Sequence, residues 1–396
     1  MKIAIFTDTF LPQVNGVTNT LSRLGDYLTK KKMEYIFITP DQPMMGNDTY
    51  NMEKFFSTGF FLYPECRFTF PNIFRINEVL DDFKPDIIQL MTEFNVGLSG
   101  SFYAKKKRIP YFTNFSTNYE DFLTSYHLTM LQKPMWRYLK NFHSEALSTL
   151  IPSKETEKLI HAKGITRTAL FSRGIDFERF HPNHRKTALR KSLHIDDKIV
   201  LLYVGRISSE KGLLLLRDSM HELNKKYSDQ IALMVTGEGP LLSELQATMP
   251  DNVIFTGYKH GQELSEIYAS SDIFAFPSSF ETFGNVVLEA MASGLPVVGV
   301  SKGGVLESIS HQKNGLLAIP DDVSSFSQQL EIIIQNKALR HQLGLQARCF
   351  AETKSWDHIF DGLIKHYQDA LQKTIIKKPF YKVEPSLYEN SLGNIN

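Results

Sequence analysis

Short runs of apolar residues alternate with amphipathic segments along most of this chain. The first run, residues 2–6, is typical of a buried parallel strand, and a polar loop containing Asn15 and Gly16 follows it. Residues 18–31 then carry leucines at helical spacing. Strand, glycine loop and helix in this order predict the opening of a doubly wound α/β domain. Similar strand-like runs continue at 35–39, 86–91, 111–114 and 149–152.

A second series of strand-like runs follows a polar stretch that is rich in glycine and proline. This stretch places a hinge within residues 172–190. We therefore predict an α/β fold with two Rossmann-like doubly wound domains, 1–180 and 181–355, facing each other across a cleft. Their ligand is expected at the carboxyl ends of the strands. The second series lies at 199–204, 232–236, 253–256, 273–277 and 296–300.

The C-terminal region belongs to neither series of strands. Residues 356–371 form a last amphipathic pattern, which we expect to pack back on the first domain. Residues 376–396 lack periodicity and predict an irregular tail. No internal repeat and no low-complexity segment interrupts this organisation.

The composition narrows the class of protein. The 396 residues are 42% hydrophobic and 22% charged, close to globular averages, which argues against disordered, collagen-like and coiled-coil classes. A net charge of +1 provides no field of the kind that nucleic-acid binders use, so we expect no nucleic-acid partner. Two cysteines, Cys66 and Cys349, are too few for a disulfide framework.

The apolar runs also bear on localisation. The first run meets Asp8 and is too short for the apolar region of a signal peptide, and no run reaches the length of a membrane span. We expect a cytoplasmic protein, and contact with a membrane surface stays open.

A candidate anion site follows the strand at 199–204. Residues 205–212, GRISSEKG, place Arg206 and Lys211 on a loop that precedes a helical run. Two cations there can point at one anionic group, in the dipole field of a helix N-terminus. The alternative is a solvated loop whose charges have no ligand.

A second candidate binding site lies in the segment SSFETFGNVVLEAMASGLPVV, residues 278–298. Glu281 falls in a loop and Glu289 in the helix after it, and Phe283, Gly284 and Asn285 mark the helix start. Free backbone N–H groups at such a start can donate to an anion or to sugar oxygens, and carboxylates can accept from hydroxyl groups. The alternative is a helix-face charge at Glu289 and a helix-dipole partner at Glu281.

Taken in order, these motifs resemble the retaining glycosyltransferases of family 4, which have the GT-B fold. FTDTFLPQVNGV is similar to the family's glycine loop, GRISSEKG to its phosphate-binding pair, and Glu281 with Glu289 to its E-x7-E motif. TGYKHGQELSEIYASSDIFAFPS, GLPVVG and GGVLESI also match in order and spacing. The resemblance runs from residue 1 to about residue 371. It makes the first domain the acceptor side and the second the nucleotide-sugar side.

The resemblance implies roles for individual residues. Arg206 and Lys211, beside Gly205, would bind the donor diphosphate and stabilise the leaving nucleotide. The loop of Asn15 and Gly16 would close on the same phosphates. These roles suit the chemistry, because a departing diphosphate needs positive charge.

The other implied contacts concern the sugar and the nucleoside. Glu289 would hold the ribose hydroxyls, while Glu281 and the backbone amides at 283–285 would hold the transferred sugar. Tyr258 would lie beside the nucleobase. Arg206, Lys211 and Glu281 are therefore the candidate catalytic residues.

One departure from the family concerns a histidine. The family has a segment like S-Y-H-T-N after the strand that ends near Thr113, and Ser116 takes the place of that histidine here. Serine can donate to a sugar hydroxyl, but it does not titrate near neutral pH. Either the histidine is dispensable, or another group such as His127 substitutes, or activity is reduced.

The sequence also predicts how the donor phosphates are neutralised. No two aspartates lie two residues apart, so the Asp-x-Asp pair that holds a divalent ion in other glycosyltransferases is missing from the sequence. We expect a metal-independent enzyme without a cofactor, in which the nucleotide sugar is a substrate.

Fewer features of the sequence indicate which acceptor the protein uses. Eight aromatic residues crowd the first domain, and a cationic run at 105–108 follows; together they suit a membrane surface that carries a lipid acceptor. A buried aromatic core with a solvated loop is the slightly favoured alternative. The aromatic residues are Phe55, Phe56, Phe60, Phe61, Tyr63, Phe68, Phe70 and Phe74.

The functional prediction is a retaining hexosyltransferase with a lipid or glycan acceptor. LYPECRFTFP and FSRGIDFERFHP resemble the subgroup that transfers mannose to lipids, which makes GDP-mannose the first donor and a UDP-hexose the second. A non-catalytic sugar-nucleotide-binding partner subunit stays open because of Ser116. A dehydrogenase is set aside, because the loop after the first strand has one glycine where GxGxxG is needed.

Overall fold

The computed structural model describes residues 1–13, 15–41, 50–60, 63–117, 119–125, 128–279, 281 and 283–376. Two α/β domains, each built on a parallel sheet, follow one another along the chain. The predicted irregular tail lies beyond residue 376, outside the described residues.

The first domain contains a seven-stranded parallel sheet in the order β3-β2-β1-β6-β7-β8-β9. Two further strands, β4 and β5, pair with each other as an antiparallel hairpin. The strands are β1 (Lys2–Phe6), β2 (Glu34–Pro40), β3 (Met52–Phe55), β4 (Ser57–Phe60), β5 (Tyr63–Thr69), β6 (Ile87–Leu90), β7 (Tyr111–Asn114), β8 (Ser148–Ile151) and β9 (Thr168–Leu170).

Helices connect these strands and lie on both faces of the sheet, as parallel strand order requires. They are α1 (Gly16–Lys30), α2 (Ile73–Phe83), α3 (Asn95–Lys107), α4 (Tyr119–Ser125), α5 (Gln132–Ser144) and α6 (Lys154–Ala162). Local chemistry sets where α1 begins: the Asn15 side chain accepts from the Val17 and Thr18 N–H groups, while the Thr18 hydroxyl closes a reciprocal capping box.

The second domain has a six-stranded parallel sheet in the order β12-β11-β10-β13-β14-β15, the order of a Rossmann sheet. Its strands are β10 (Ile199–Val204), β11 (Ile231–Thr236), β12 (Val253–Gly257), β13 (Ile273–Phe276), β14 (Val297–Val300) and β15 (Gly315–Ala318). Its helices are α7 (Thr187–Ser192), α8 (Leu213–Tyr227), α9 (Leu242–Thr248), α10 (Gly261–Ala269), α11 (Asn285–Ala292), α12 (Val323–Gln335) and α13 (Lys337–Glu352).

The last helix, α14 (Trp356–Ile376), crosses back to the first domain. Its apolar side joins the core that contains Ile3 and Ile5 of β1. Phe360 is fully buried there, with its ring 5.3 Å from the ring of Tyr27 in α1. The Tyr367 hydroxyl donates to Gln89, a buried residue of β6.

Several short strands are missed by the apolar pattern. β3, β4, β5 and β9 are three to seven residues long and mix polar with apolar residues. β15 is a four-residue edge strand, GLLA. Such segments carry too few residues for a period to be recognised, and their pairing depends on neighbouring strands.

The favoured burial of the aromatic residues near β4 and β5 is wrong for most of those whose side chains are described. Phe55 is buried, but Phe74 is 84% exposed and Phe56 67% exposed, and Phe68 and Phe70 are about half exposed. Phe56 stacks on Phe70, which in turn contacts Phe68 edge-on. Phe61 lies outside the described residues. Among the residues that the structure describes, no element covers these rings, so they meet solvent.

None of the helices within the described residues combines the length and apolar character needed to cross a bilayer.

The packing of α14 leads to a stability prediction. Phe360→Ala removes a fully buried ring from the core shared by α14 and the first sheet, and we expect it to cost about 3–5 kcal/mol. Thermal unfolding followed by circular dichroism would measure the effect. The matched control is Phe102→Ala on α3, where the ring is exposed and the expected change is below about 0.5 kcal/mol. An equal loss in both variants would contradict the packing argument.

Candidate functional site

Two loops lie where the strand order of each sheet reverses. β1 sits between β2 and β6, and β10 sits between β11 and β13, so the loops after β1 and β10 leave the sheets at their switch points. Ligands of open α/β sheets bind in the crevice at this place. The first loop ends at Asn15 and Gly16, and the second begins at Gly205 and Arg206. The topology therefore selects the same two loops as the motifs.

The loop after β10 is held by its own hydrogen bonds. The Gly205 N–H donates to the carbonyl of Thr236, 3.0 Å away, and the buried Tyr203 hydroxyl donates to the carbonyl of Arg206 at 2.9 Å. A Cβ at Gly205 would lie 2.8 Å from the Tyr203 hydroxyl oxygen, so a larger residue does not fit. Arg206 is thereby presented on a loop of defined shape.

Glu210 orients the Arg206 guanidinium, a contact that the sequence motif did not reveal. Arg206 Nη2 lies 2.7 Å from Glu210 Oε1, and the Ser208 hydroxyl donates to the same oxygen at 2.6 Å. Burial opposes ionisation of Glu210, but the hydrogen bonds from Ser208 and Arg206 outweigh it and lower its pKa. A charged, hydrogen-bonded partner therefore restrains Arg206 without a ligand.

Lys211 and Glu281 form an ion pair. Lys211 closes a 3-10 turn, Ser209–Lys211, just before α8, and its Nζ donates to Glu281 Oε1. The cation expected on the diphosphate and the carboxylate expected on the sugar are therefore in direct contact, 70 residues apart in sequence. Both side chains are partly exposed, so a ligand can reach them.

The two domains meet at the helix start predicted for sugar binding. α11 begins at Asn285, after Gly284 in the left-handed conformation, and Phe283 is buried. A Cβ on Gly16 of the first domain would lie 3.2 Å from Asn285 Nδ2. The Asn285 Oδ1 atom is buried, and no partner for it is found among the described residues. The glycine loop thus closes directly over this helix N-terminus.

Glu289 lies one helical turn further along α11 and is hydrogen-bonded to a buried tyrosine. The Tyr268 hydroxyl donates to Glu289 Oε2 at 2.8 Å. Burial raises the pKa of Glu289 to about 7, against the opposing effects of Tyr268 and Arg179.

Tyr258, the residue predicted to lie beside the nucleobase, follows β12. Half of its side chain is exposed, and its ring lies beside the ring of His260.

Ser116 follows β7 at the carboxyl edge of the first sheet. The Asn114 side-chain amide donates to the Ser116 hydroxyl oxygen. His127 lies outside the described residues, so its proposed substitution for the family histidine stays a prediction.

A buried polar cluster behind Ser116 was not found from the sequence. The Tyr119 hydroxyl donates to Glu93 Oε2 at 2.8 Å, and the other carboxylate oxygen lies 3.8 Å from His143 Nε2. Burial raises the pKa of Glu93 to about 8 and lowers that of His143 to about 3, so both groups favour their neutral forms at neutral pH. His143 Nδ1 is 2.8 Å from the Thr113 hydroxyl. No motif signalled this cluster, because its members come from β7 and three separate helical or loop segments.

In the part of the chain that the structure describes, no group of three or more histidine, cysteine, aspartate or glutamate residues is arranged to hold a metal ion.

Comparison with known proteins decides the family. The model of the family described as "Glycosyltransferase Family 4" matches residues 14–179, and that described as "Glycosyl transferases group 1" matches residues 185–350. A GDP-mannose-dependent alpha-mannosyltransferase of Corynebacterium glutamicum is 33% identical over 384 residues, which cover 94% of this chain and 89% of that protein. The chain belongs to glycosyltransferase family 4. It is an enzyme that transfers a glycosyl group, and the predicted family is confirmed.

Further comparisons agree with this family 4 assignment. An alpha-monoglucosyldiacylglycerol synthase of Streptococcus pneumoniae is 31% identical over 312 residues, 75% of this chain and 70% of that protein. A sucrose-phosphate synthase structure from Thermosynechococcus elongatus superposes with a TM-score of 0.78 at 17% identity, covering 94% of this chain and 99% of that one. The predicted GT-B fold is therefore confirmed.

The ionisation of Glu289 predicts how the donor affinity of this glycosyltransferase depends on pH. A carboxyl group accepts from ribose hydroxyls more strongly when it is ionised, and with a pKa of about 7 the ionised fraction rises from roughly a tenth at pH 6 to roughly nine-tenths at pH 8. We expect the affinity for a nucleotide sugar, whose diphosphate diester does not titrate in this range, to rise up to about tenfold across that interval. Calorimetry at each pH would measure it.

The control for the pH prediction is Glu289→Gln, which keeps the size of the side chain and removes its titration. Its affinity should be low and independent of pH between 6 and 8. A wild-type affinity that is equally flat would show that Glu289 does not contact the ribose in its ionised form.

Proposed function

We propose that this glycosyltransferase transfers mannose from GDP-mannose to a lipid acceptor with retention at the anomeric carbon. The observation that supports GDP-mannose as the donor is the similarity to the mannosyltransferase of C. glutamicum, which extends over both domains. The bond between the anomeric carbon and the diphosphate oxygen breaks, and the acceptor oxygen bonds to that carbon. The acceptor proton passes to the departing diphosphate.

The charges of the second domain support this reaction. The departing diphosphate gains negative charge, and the loop after β10 carries two cations, Arg206 and Lys211. Lys211 already holds Glu281 next to the start of α11, where the free N–H groups of the helix meet the sugar in this proposal. We propose that Arg206 and Lys211, as charged hydrogen-bond donors to the diphosphate, take the place of a divalent ion.

The exposed hairpin supports a lipid acceptor. Phe56, Phe68 and Phe70, in and beside the hairpin, form a group of exposed rings in contact, and Phe74 at the start of α2 is exposed as well. Large exposed apolar patches mark contact with a partner or a membrane. The Asn95 side chain donates to the Thr69 carbonyl at 2.8 Å and ties the hairpin to the start of α3, which follows β6 at the cleft edge. This group of rings therefore adjoins the acceptor side.

The cationic run at 105–108 contributes less to a membrane surface than its sequence suggests. Lys105 pairs with Glu145 at 3.0 Å, and Lys107 pairs with Asp81 at 2.6 Å. These ion pairs neutralise part of the run, so the proposed membrane contact rests on the exposed aromatic residues in and beside the hairpin and at the start of α2.

A second candidate is transfer of another hexose, from a UDP-hexose, to a diacylglycerol-type acceptor. The similarity to the monoglucosyldiacylglycerol synthase favours it, because that relative shares 31% identity over 75% of this chain. Both candidates use the same cations and differ in the contacts to the base and the sugar.

A donor panel tests the proposed function. Release of the nucleoside diphosphate is measured with GDP-mannose, UDP-glucose and ADP-glucose in the presence of a bacterial lipid extract. We expect GDP-mannose to be turned over at least tenfold faster than the others, and 5 mM EDTA, an excess over trace metal, to leave the rate unchanged. Faster turnover of UDP-glucose would favour the second candidate, and loss of activity in EDTA would contradict metal independence.

The hairpin gives a separate prediction. The double variant Phe70→Ser with Phe74→Ser removes two exposed rings, and we expect its partition onto phosphatidylglycerol vesicles to fall roughly tenfold, since each ring buries apolar area in the interface. Vesicle sedimentation measures this. Phe102→Ser, an exposed ring on α3, is the control and should bind vesicles like the wild type. Unchanged partition of the double variant would exclude these two rings, one after β5 and one in α2, as the membrane contact.

A further inference from the structure

The motif GGVLESI, at residues 303–309, has no part in the donor chemistry described above. Its first five residues form a 3-10 helix, Gly303–Glu307, which follows β14. β14 is parallel to its neighbours, so this short helix lies at the carboxyl edge of the second sheet. We call Gly303–Glu307 the connecting helix, because both of its ends contact other parts of the site.

The first end of the connecting helix is bonded to the loop of Glu281. The Gly304 N–H donates to the Glu281 carbonyl at 2.7 Å. Gly303 has a φ of +77°, and a Cβ there would lie 2.9 Å from the same carbonyl oxygen, so only glycine fits. Val305 packs against the start of α11, since a Cβ on Gly284 would lie 3.3 Å from Val305 Cγ1. Movement of the Glu281 loop is therefore transmitted to this helix.

The other end of the connecting helix contacts the first domain. Glu307 Oε1 accepts from the Lys154 N–H at 2.7 Å. Lys154 is the first residue of α6, which follows β8 at the carboxyl edge of the first sheet. The first N–H groups of a helix have no partner within it, and the positive end of the helix dipole favours a carboxylate. The N-cap Ser153 accepts from Thr156, so the Lys154 N–H is left for Glu307.

We propose that Glu307 is a positioning residue that couples the Glu281 loop to the first domain and holds the cleft closed. The connecting helix is five residues long and bonded at both ends, so it fixes the distance between the donor loop and α6. In the same arrangement Gly16 of the first domain lies against Asn285. Glu307 thus sets the geometry in which acceptor and donor meet.

A second ion pair near the cleft has a different role. Arg23 in α1 pairs with Asp176 at 2.9 Å, but Asp176 belongs to the segment that joins the domains. That pair fastens the first domain to its own connection. Glu307 instead contacts the first domain from the body of the second, and its loss frees the cleft without altering the connection.

The test combines a conformational measurement with kinetics. Dyes are attached at Phe102→Cys and Leu345→Cys, two exposed positions on the two domains, in a chain carrying Cys66→Ser and Cys349→Ser. Single-molecule energy transfer then reports the closed and open populations without any ligand. For Glu307→Ala we expect the open population to rise at least threefold.

The kinetic arm separates positioning from folding. We expect Glu307→Ala to lower kcat about tenfold while the Kd values for GDP and UDP change less than twofold, because most of the residues proposed to bind the nucleotide, among them Arg206, Lys211 and Glu289, lie in the second domain. Glu307→Gln keeps an oxygen that accepts from Lys154 and should recover kcat to within about threefold of the wild type. Glu155→Ala removes a carboxylate from the same turn of α6 that pairs with Lys158 inside the helix, and it should behave as the wild type.

Two results would overturn the proposal. Unchanged populations and unchanged kcat in Glu307→Ala would show that the contact positions nothing. A Kd for nucleotide that rises in step with the loss of kcat would assign Glu307 to folding of the donor loop. The inference rests on the donor side of the proposed function, but the ligand-free populations test it whichever sugar is transferred.

Discussion

The packing of α14 on the first sheet is the contact on which the arrangement of the two domains depends. Phe360 and Tyr367 fill a core that β1 and α1 leave open, so the chain must return from the second domain to complete the first. The chain therefore crosses between the domains twice, once before α7 and once between α13 and α14. Ile175 and Ser355 form a parallel bridge at this double crossing, and Gly174 lies against Trp356.

This double crossing limits how the domains can move. Two connections that lie side by side favour rotation about one axis and oppose sliding of one sheet past the other. The carboxyl edges of the two sheets face each other across the cleft, so rotation about this axis changes the distance between them. Gly16 against Asn285 and Glu307 against Lys154 are two contacts made there.

The charges of the cleft are balanced before any donor is present. Lys211 is paired with Glu281 and Arg206 with Glu210, so each cation has a carboxylate as its counter-charge. Such pairing restrains long side chains that would otherwise lose rotamer freedom when a phosphate binds. On the acceptor side, the polar groups behind Ser116 are instead buried and mostly neutral, because burial shifts the pKa values of Glu93 and His143 toward the uncharged forms. The two sides of the cleft therefore present different electrostatic surfaces.

The sequence by itself determined the alternation of strands and helices, the two-domain order and the loops of Gly16 and Arg206. These features follow from local apolar periods and from residues such as Asn15, whose side chain caps the helix that begins beside it. The pairing of Lys211 with Glu281, the exposure of Phe74 and the contact of Glu307 with Lys154 were decided by tertiary structure alone. Glu307 and Lys154 are 153 residues apart, and which carboxylate meets which helix depends on how two separate sheets face each other. No local pattern encodes that relation, because the two residues belong to separate domains and meet only in the folded chain.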